Sequence, residues 1–130
     1  MTPNKERIAW WVHDLETTPN LQGTGRLYNP RTGAFCCLGR ACEVYRAATG
    51  DGEFVEHPDS SERAPYAEFV TNRMRGLGGE IYELPIDVFQ WFGFTNNDPV
   101  LADGHNCVHA NDVREWDFAT IAQALRVRYL

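Results

Sequence analysis

Lysine is almost missing from this chain: Lys5 stands alone beside eleven arginines, and the 12 basic residues are outnumbered by 18 acidic ones, for a net charge of −6. That balance removes counterion release as a source of affinity, so duplex DNA is a poor partner. No apolar run approaches the roughly 20 residues that cross a bilayer. The opening MTPNKERIAWWVHDLE breaks its apolar stretch with charge too often for a secretory signal. A soluble cytoplasmic protein with no membrane partner is expected. The chain also lacks C-x-x-C, H-E-x-x-H, G-x-S-x-G and any G-x-G-x-x-G or Walker spacing. With them go the usual signatures of zinc ribbons, zinc hydrolases, serine hydrolases and phosphate-cradling loops.

What remains is ordinary globular material: 130 residues, 43% hydrophobic and 23% charged. Surface scaling gives roughly 7,000 Å² for the folded chain against about 21,000 Å² for the open one, enough burial for one self-sufficient core. The arginine excess fits either a codon-biased genome or planar forks for anionic ligands. Acidity gathers in DGEFVEHPDSSE, Asp51 to Glu62, which reads as a solvated loop. Cys36, Cys37, Cys42 and Cys107 read as free thiols, because a bridge between neighbours is strained and no export signal precedes them.

Hydrophobic spacing places the elements. Thr2 as cap and Pro3 as first residue open a helix to Thr17, with Ile8, Trp11, Val12 and Leu15 on one stripe. A strand over Arg26–Tyr28, a turn at Asn29, Pro30 and Gly33, and a return at Ala34 and Phe35 make a hairpin. A second helix is predicted over Cys37–Thr49, burying Leu38, Ala41, Cys42 and Tyr45 and stopping at Gly50. Gly39 in its first turn lowers helix propensity by about 1 kcal/mol, which close approach of another backbone would explain. Phe54–His57 is a brief strand, and Pro65–Arg75 a short helix with Tyr66, Phe69, Val70 and Met74 inward. The run from Leu84 to Gly93 predicts a third helix with Leu84, Val88, Trp91 and Phe92 inward. Asp117 caps a last helix that buries Phe118, Ile121, Ala122 and Leu125. The fold class expected is α+β: a single compact domain, residues 1–130, of four or five helices with a short antiparallel hairpin or small sheet.

Three segments form an ordered set: Gly33–Cys42 carries C-C-L-G-x-x-C, Leu84–Phe94 carries L-P-x-x-V-x-x-W, and Ala110–Leu125 carries N-D followed by F-x-x-I-A. This order resembles that of small bacteriophage- and prophage-encoded proteins of unassigned function. Ala110 stands where that pattern has Leu, and Asp117 where it has Ser. The resemblance implies a phage accessory protein in the cytoplasm of an infected bacterium and no particular reaction.

Candidate chemistry is sparse. His105, Cys107 and His109 would present ligands to one side of an extended strand, but would disperse on a helix. Cys36 and Cys37 sit where a helix N-terminus lowers a thiol pKa, but cysteine is among the most buried residue types and Cys42 lies on the inward stripe, so packing explains them better. No catalytic residue, metal ligand or cofactor is assigned. Trp10 lies off the apolar stripe and Trp116 precedes a helix cap, so both suit a partner surface. Arg26, Tyr28 and Arg40 are candidates for stacking a base and pairing its phosphate, and Asn111 with Asp112 for polar recognition or capping. The expected function is that of a non-enzymatic accessory protein that binds a host protein, countering host defence, or a nucleotide-type signal molecule. The alternatives are a small metal-dependent or thiol enzyme and a DNA-binding regulator. A homodimer would cover Trp10, Val127, Tyr129 and Leu130.

Overall fold

The computed structural model describes residues 2–130. Its first helix, α1 (Lys5–Thr17), buries Ile8, Trp11, Val12 and Leu15, the predicted stripe. The predicted start is corrected: Asn4 is the cap, its Oδ1 accepting from the Arg7 amide at 3.0 Å. The Asn4 amide in turn donates to the Phe92 carbonyl at 2.7 Å, which ties the chain entry to a neighbouring helix end before α1 begins.

The hairpin pairs β1 (Tyr28–Asn29) with β2 (Ala34–Phe35), in the register Tyr28 to Phe35 and Asn29 to Ala34. The first strand therefore lies later than the predicted Arg26–Tyr28. Asn29 makes the turn, its side chain accepting from the Arg31 amide and its carbonyl from Gly33, whose φ of 77° suits glycine. Next comes α2 (Cys37–Thr49), which stops at Gly50 as predicted.

The segment predicted as helix 65–75 is instead β4 (Tyr66–Val70), antiparallel to β3 (Glu53–His57), followed by a single 3₁₀ turn, Asn72–Met74. Ala67 and Phe69 are buried while Tyr66 and Glu68 are partly exposed, the two-residue alternation of a strand. On its other side Phe69 exchanges both backbone bonds with Glu80, at 2.8 and 3.1 Å. Bonds on both flanks outweigh the local helical spacing. β3 bears out the brief strand expected at Phe54–His57, so the acidic run 51–62 is a solvated loop only in part, and Phe54 packs against Phe69 with ring centroids 4.9 Å apart.

The third helix, α3 (Ile86–Phe92), buries Val88 and Phe92, with Leu84 buried just before it and Trp91 half-buried. The chain then makes one π-helical turn, His109–Val113, and closes on α4 (Phe118–Tyr129), whose inward residues match the prediction. Asp117 Oδ1 accepts from the Thr120 amide at 2.8 Å. The architecture is thus α+β in one unit: α1 lies against α2, α3 and α4, and two small antiparallel sheets flank the bundle. The exposed surface is 6776 Å², close to the scaling expectation for a single core. Trp11 is its largest fully buried side chain, and the indole N–H donates to the Cys37 carbonyl at 3.0 Å. Among the described residues no buried side-chain nitrogen or oxygen lacks a partner, and no helix is long and apolar enough to cross a membrane.

Candidate functional site

The C-C-L-G-x-x-C and N-D segments meet in space. Asn111, 1% exposed, uses its whole amide. Its Oδ1 accepts from Gln22 Nε2 at 2.9 Å and from the Cys37 amide at 3.2 Å, across 74 positions of sequence in the latter case. Its Nδ2 donates to the Gly23 carbonyl and to Asp112 Oδ1, both at 2.8 Å. Gln22 also donates to the Trp116 carbonyl at 2.7 Å, and Asp112 Oδ2 accepts from the Gly25 amide at 3.0 Å. One asparagine therefore clasps the 22–25 loop, the start of α2 and the π turn together. Beside it, Gly39 has no room for a side chain: a Cβ there would lie 1.9 Å from the Leu27 carbonyl oxygen. The expected close approach of another backbone is found.

All four cysteines are free and buried. Cys36 is the cap of α2, its Sγ accepting from the Gly39 amide at 3.4 Å. Burial, then the neighbouring Cys37, push the Cys36 thiol far above its ordinary range, against the lowering pull of the Gly39 amide. Cys37 is raised by its interaction with Cys107 and by burial, and its Sγ donates to the Cys107 carbonyl at 3.7 Å. Burial likewise raises Cys42. Packing, the favoured reading of these cysteines, agrees with their burial, and the thiols are raised by removal from water and, at Cys37, first by the Cys107 contact, rather than lowered at the helix N-terminus.

The His105, Cys107, His109 row does not form. The chain turns helical at Cys107, which points its thiol into the core, while the two imidazoles stack on each other at 4.5 Å. His105 Nδ1 lies 2.9 Å from Asp103 Oδ2. Among the described residues no three His, Cys, Asp or Glu side chains gather as a metal-binding group.

The remaining candidates fall in separate places. Arg40 is buried and forked onto Asp14 by two bonds of 2.8 and 2.9 Å, with its guanidinium 4.8 Å from the Phe35 ring centroid. Arg26 donates to the Pro65 carbonyl at 3.1 Å. Tyr28 packs on Phe35 and Phe54 at 4.7 and 5.3 Å. Arg26, Tyr28 and Arg40 do not share a pocket. Asn111 and Asp112 serve the clasp, and Trp116 contributes its carbonyl there while its ring packs against the core.

Open grooves lined by aromatic side chains include one beside α1 and one at the hairpin. One, about 460 Å³, runs between α1 and α2 beside Trp10, which is 44% exposed and leans on Trp91 at 6.0 Å. The other, about 480 Å³, is floored by Tyr28, Phe35 and Phe54 and rimmed by Glu43, Arg46, Glu53 and Glu56. Phe35, Phe54 and Glu56 were not among the residues singled out from sequence. The available signal was the apolar positions in G-E-F-V-E-H within an otherwise acidic run.

No family model, no curated protein and no solved structure matches the chain. The fold and site define it as a compact α+β domain with a sealed polar clasp and aromatic-floored surface grooves.

Proposed function

We propose that this protein is a bacteriophage accessory protein that acts in the host cytoplasm by binding a protein component of the host, counteracting host defence. The observation carrying the binding reading is the contrast between interior and exterior. The thiols are sealed inside, whereas Trp10 and the Tyr28, Phe35, Phe54 trio line open grooves. Aromatic anchors in concave surface are frequent centres of protein recognition. The order of the three motif segments supports the phage origin. A protein target is favoured over a nucleotide because Arg40 is neutralised by Asp14, Arg26 is turned to a carbonyl, and carboxylates rim the hairpin groove. The thiol-enzyme reading has weaker support, since burial at Cys36 and Cys42, and the Cys107 contact followed by burial at Cys37, raise all three thiols. DNA binding is opposed by the net charge of −6.

Affinity capture from bacteria expressing the tagged protein, with cross-linking, tests this alongside calorimetry against a nucleotide panel. One host protein cross-linked to a groove-lining residue, with no heat from nucleotides, is expected. Nucleotide binding without a protein partner would reject the reading.

A further inference from the structure

We propose that the groove between the β1–β2 hairpin, α2 and β3 receives an arginine side chain from an extended basic segment of the partner protein. This deepens the binding function proposed above and rests on it. The floor is three rings in mutual contact: Tyr28 to Phe35 at 4.7 Å, Tyr28 to Phe54 at 5.3 Å and Phe35 to Phe54 at 5.8 Å. All three are half-buried and line the same volume of about 480 Å³. A planar guanidinium stacks on such faces better than an ammonium does. Phe35 already shows the chemistry within the molecule, since the Arg40 guanidinium lies 4.8 Å from its ring centroid.

The rim supplies the countercharge. Arg46 and Glu43 satisfy each other at 2.6 Å, leaving that pair neutral. Among the described residues Glu53 is held only by Arg75, at 3.2 Å, and both side chains are 54% exposed, a pairing that solvent screens and an incoming cation can exchange. Glu56, exposed on β3, has no ion-pair partner among the described residues. Phe54 and Glu56 are two positions apart on one strand, so ring and carboxylate project from the same face. Within the described strands β3 pairs with β4 alone, so its far edge suits an extended segment. A net charge of −6 draws a basic partner and repels phosphate.

The probe is a fluorescein-labelled arginine–glycine repeat peptide, with a citrulline peptide of the same length as its uncharged counterpart. Anisotropy at low salt is read for the full chain and for Glu56→Gln and Phe54→Leu, with folding checked by circular dichroism. Expected are saturable binding of the arginine peptide, at least about tenfold weaker binding of the citrulline peptide, and about fivefold or greater weakening by each variant. Equal affinity for the two peptides, or unchanged affinity in Glu56→Gln, would overturn the proposal. Glu56→Gln alone decides the matter where Phe54→Leu proves unstable. The same variants used as baits separate the two levels. A cross-linked host partner whose yield neither variant changes overturns the arginine groove and leaves the binding function standing. Peptide binding with no host partner keeps the groove and overturns the wider function.

Discussion

Removing the Asn111 side chain tests the clasp. In Asn111→Ala the Cys37 amide, in a fully buried first turn of α2, loses its side-chain acceptor. An unsatisfied buried donor costs about 1–3 kcal/mol. The Gly23 carbonyl and Gln22 lose a bond each, but Gly23 is half-exposed and Gln22 keeps Trp116, so about 0.5–1 kcal/mol is assigned to each. The sum, roughly 2–5 kcal/mol, is a large part of the 5–15 kcal/mol typical of a domain. Urea unfolding followed by far-ultraviolet circular dichroism should show a lower midpoint at unchanged slope. Asn111→Asp adds a sign test. A carboxylate there can accept from Cys37 and Gln22 but faces the Gly23 carbonyl and Asp112, so its folded pKa is raised. Its penalty is present at neutral pH and fades as pH falls through that folded pKa. If Asn111→Ala loses less than about 0.5 kcal/mol, within the range of ordinary surface changes, the clasp is not what holds these segments together.

Three further outcomes follow from local geometry. Gly39→Ala should destabilise by more than about 2 kcal/mol in the same urea assay, although alanine is the better helix former, because its Cβ would collide with the Leu27 carbonyl. A neutral or stabilising result would contradict that contact. Glu115 is a non-glycine residue with φ of 55°, and Glu115→Gly should stabilise by roughly 0.5–1 kcal/mol, read as a higher Tm. Glu68 is held below its usual pKa by the Gly79 amide, against burial, and then by His57. A depressed carboxylate stabilises above its unfolded pKa of about 4.3 and loses that contribution as pH falls through its folded pKa. The stability gap between the protein and Glu68→Gln should therefore be present at pH 7 and shrink below about pH 4, and a gap constant with pH would refute the assignment.

The long helices were legible because each carries its own signal. Ile8, Trp11, Val12 and Leu15, or Phe118, Ile121, Ala122 and Leu125, repeat at helical spacing and are buried as a set. Tyr66, Phe69 and Val70 show the same spacing within a five-residue strand. What makes them β is the pairing with β3 and with Glu80, which local periodicity does not encode. The clasp was hidden for a similar reason: its bonds to the rest of the fold join positions 74 to 94 apart, so Asn111 and Asp112 read as a recognition pair or, more commonly, as a local cap. Gly39 was the exception, a helix-weakening residue whose cost pointed to the contact with Leu27. The aromatic groove assembles rings from two strands of the hairpin and one of the second sheet, and Phe54 was masked by the acidic residues around it.

The motif residues form the scaffold and seal the thiols inside it, and native thiol alkylation followed by intact-mass spectrometry is the decisive test of that arrangement. With all four cysteines buried, iodoacetamide should modify them only through unfolding, at least about a thousandfold more slowly than an exposed thiol, and all four together. Rapid labelling of Cys36 or Cys37 alone in the folded protein would instead reveal an accessible, activated sulfur and refute a purely structural role for the pair.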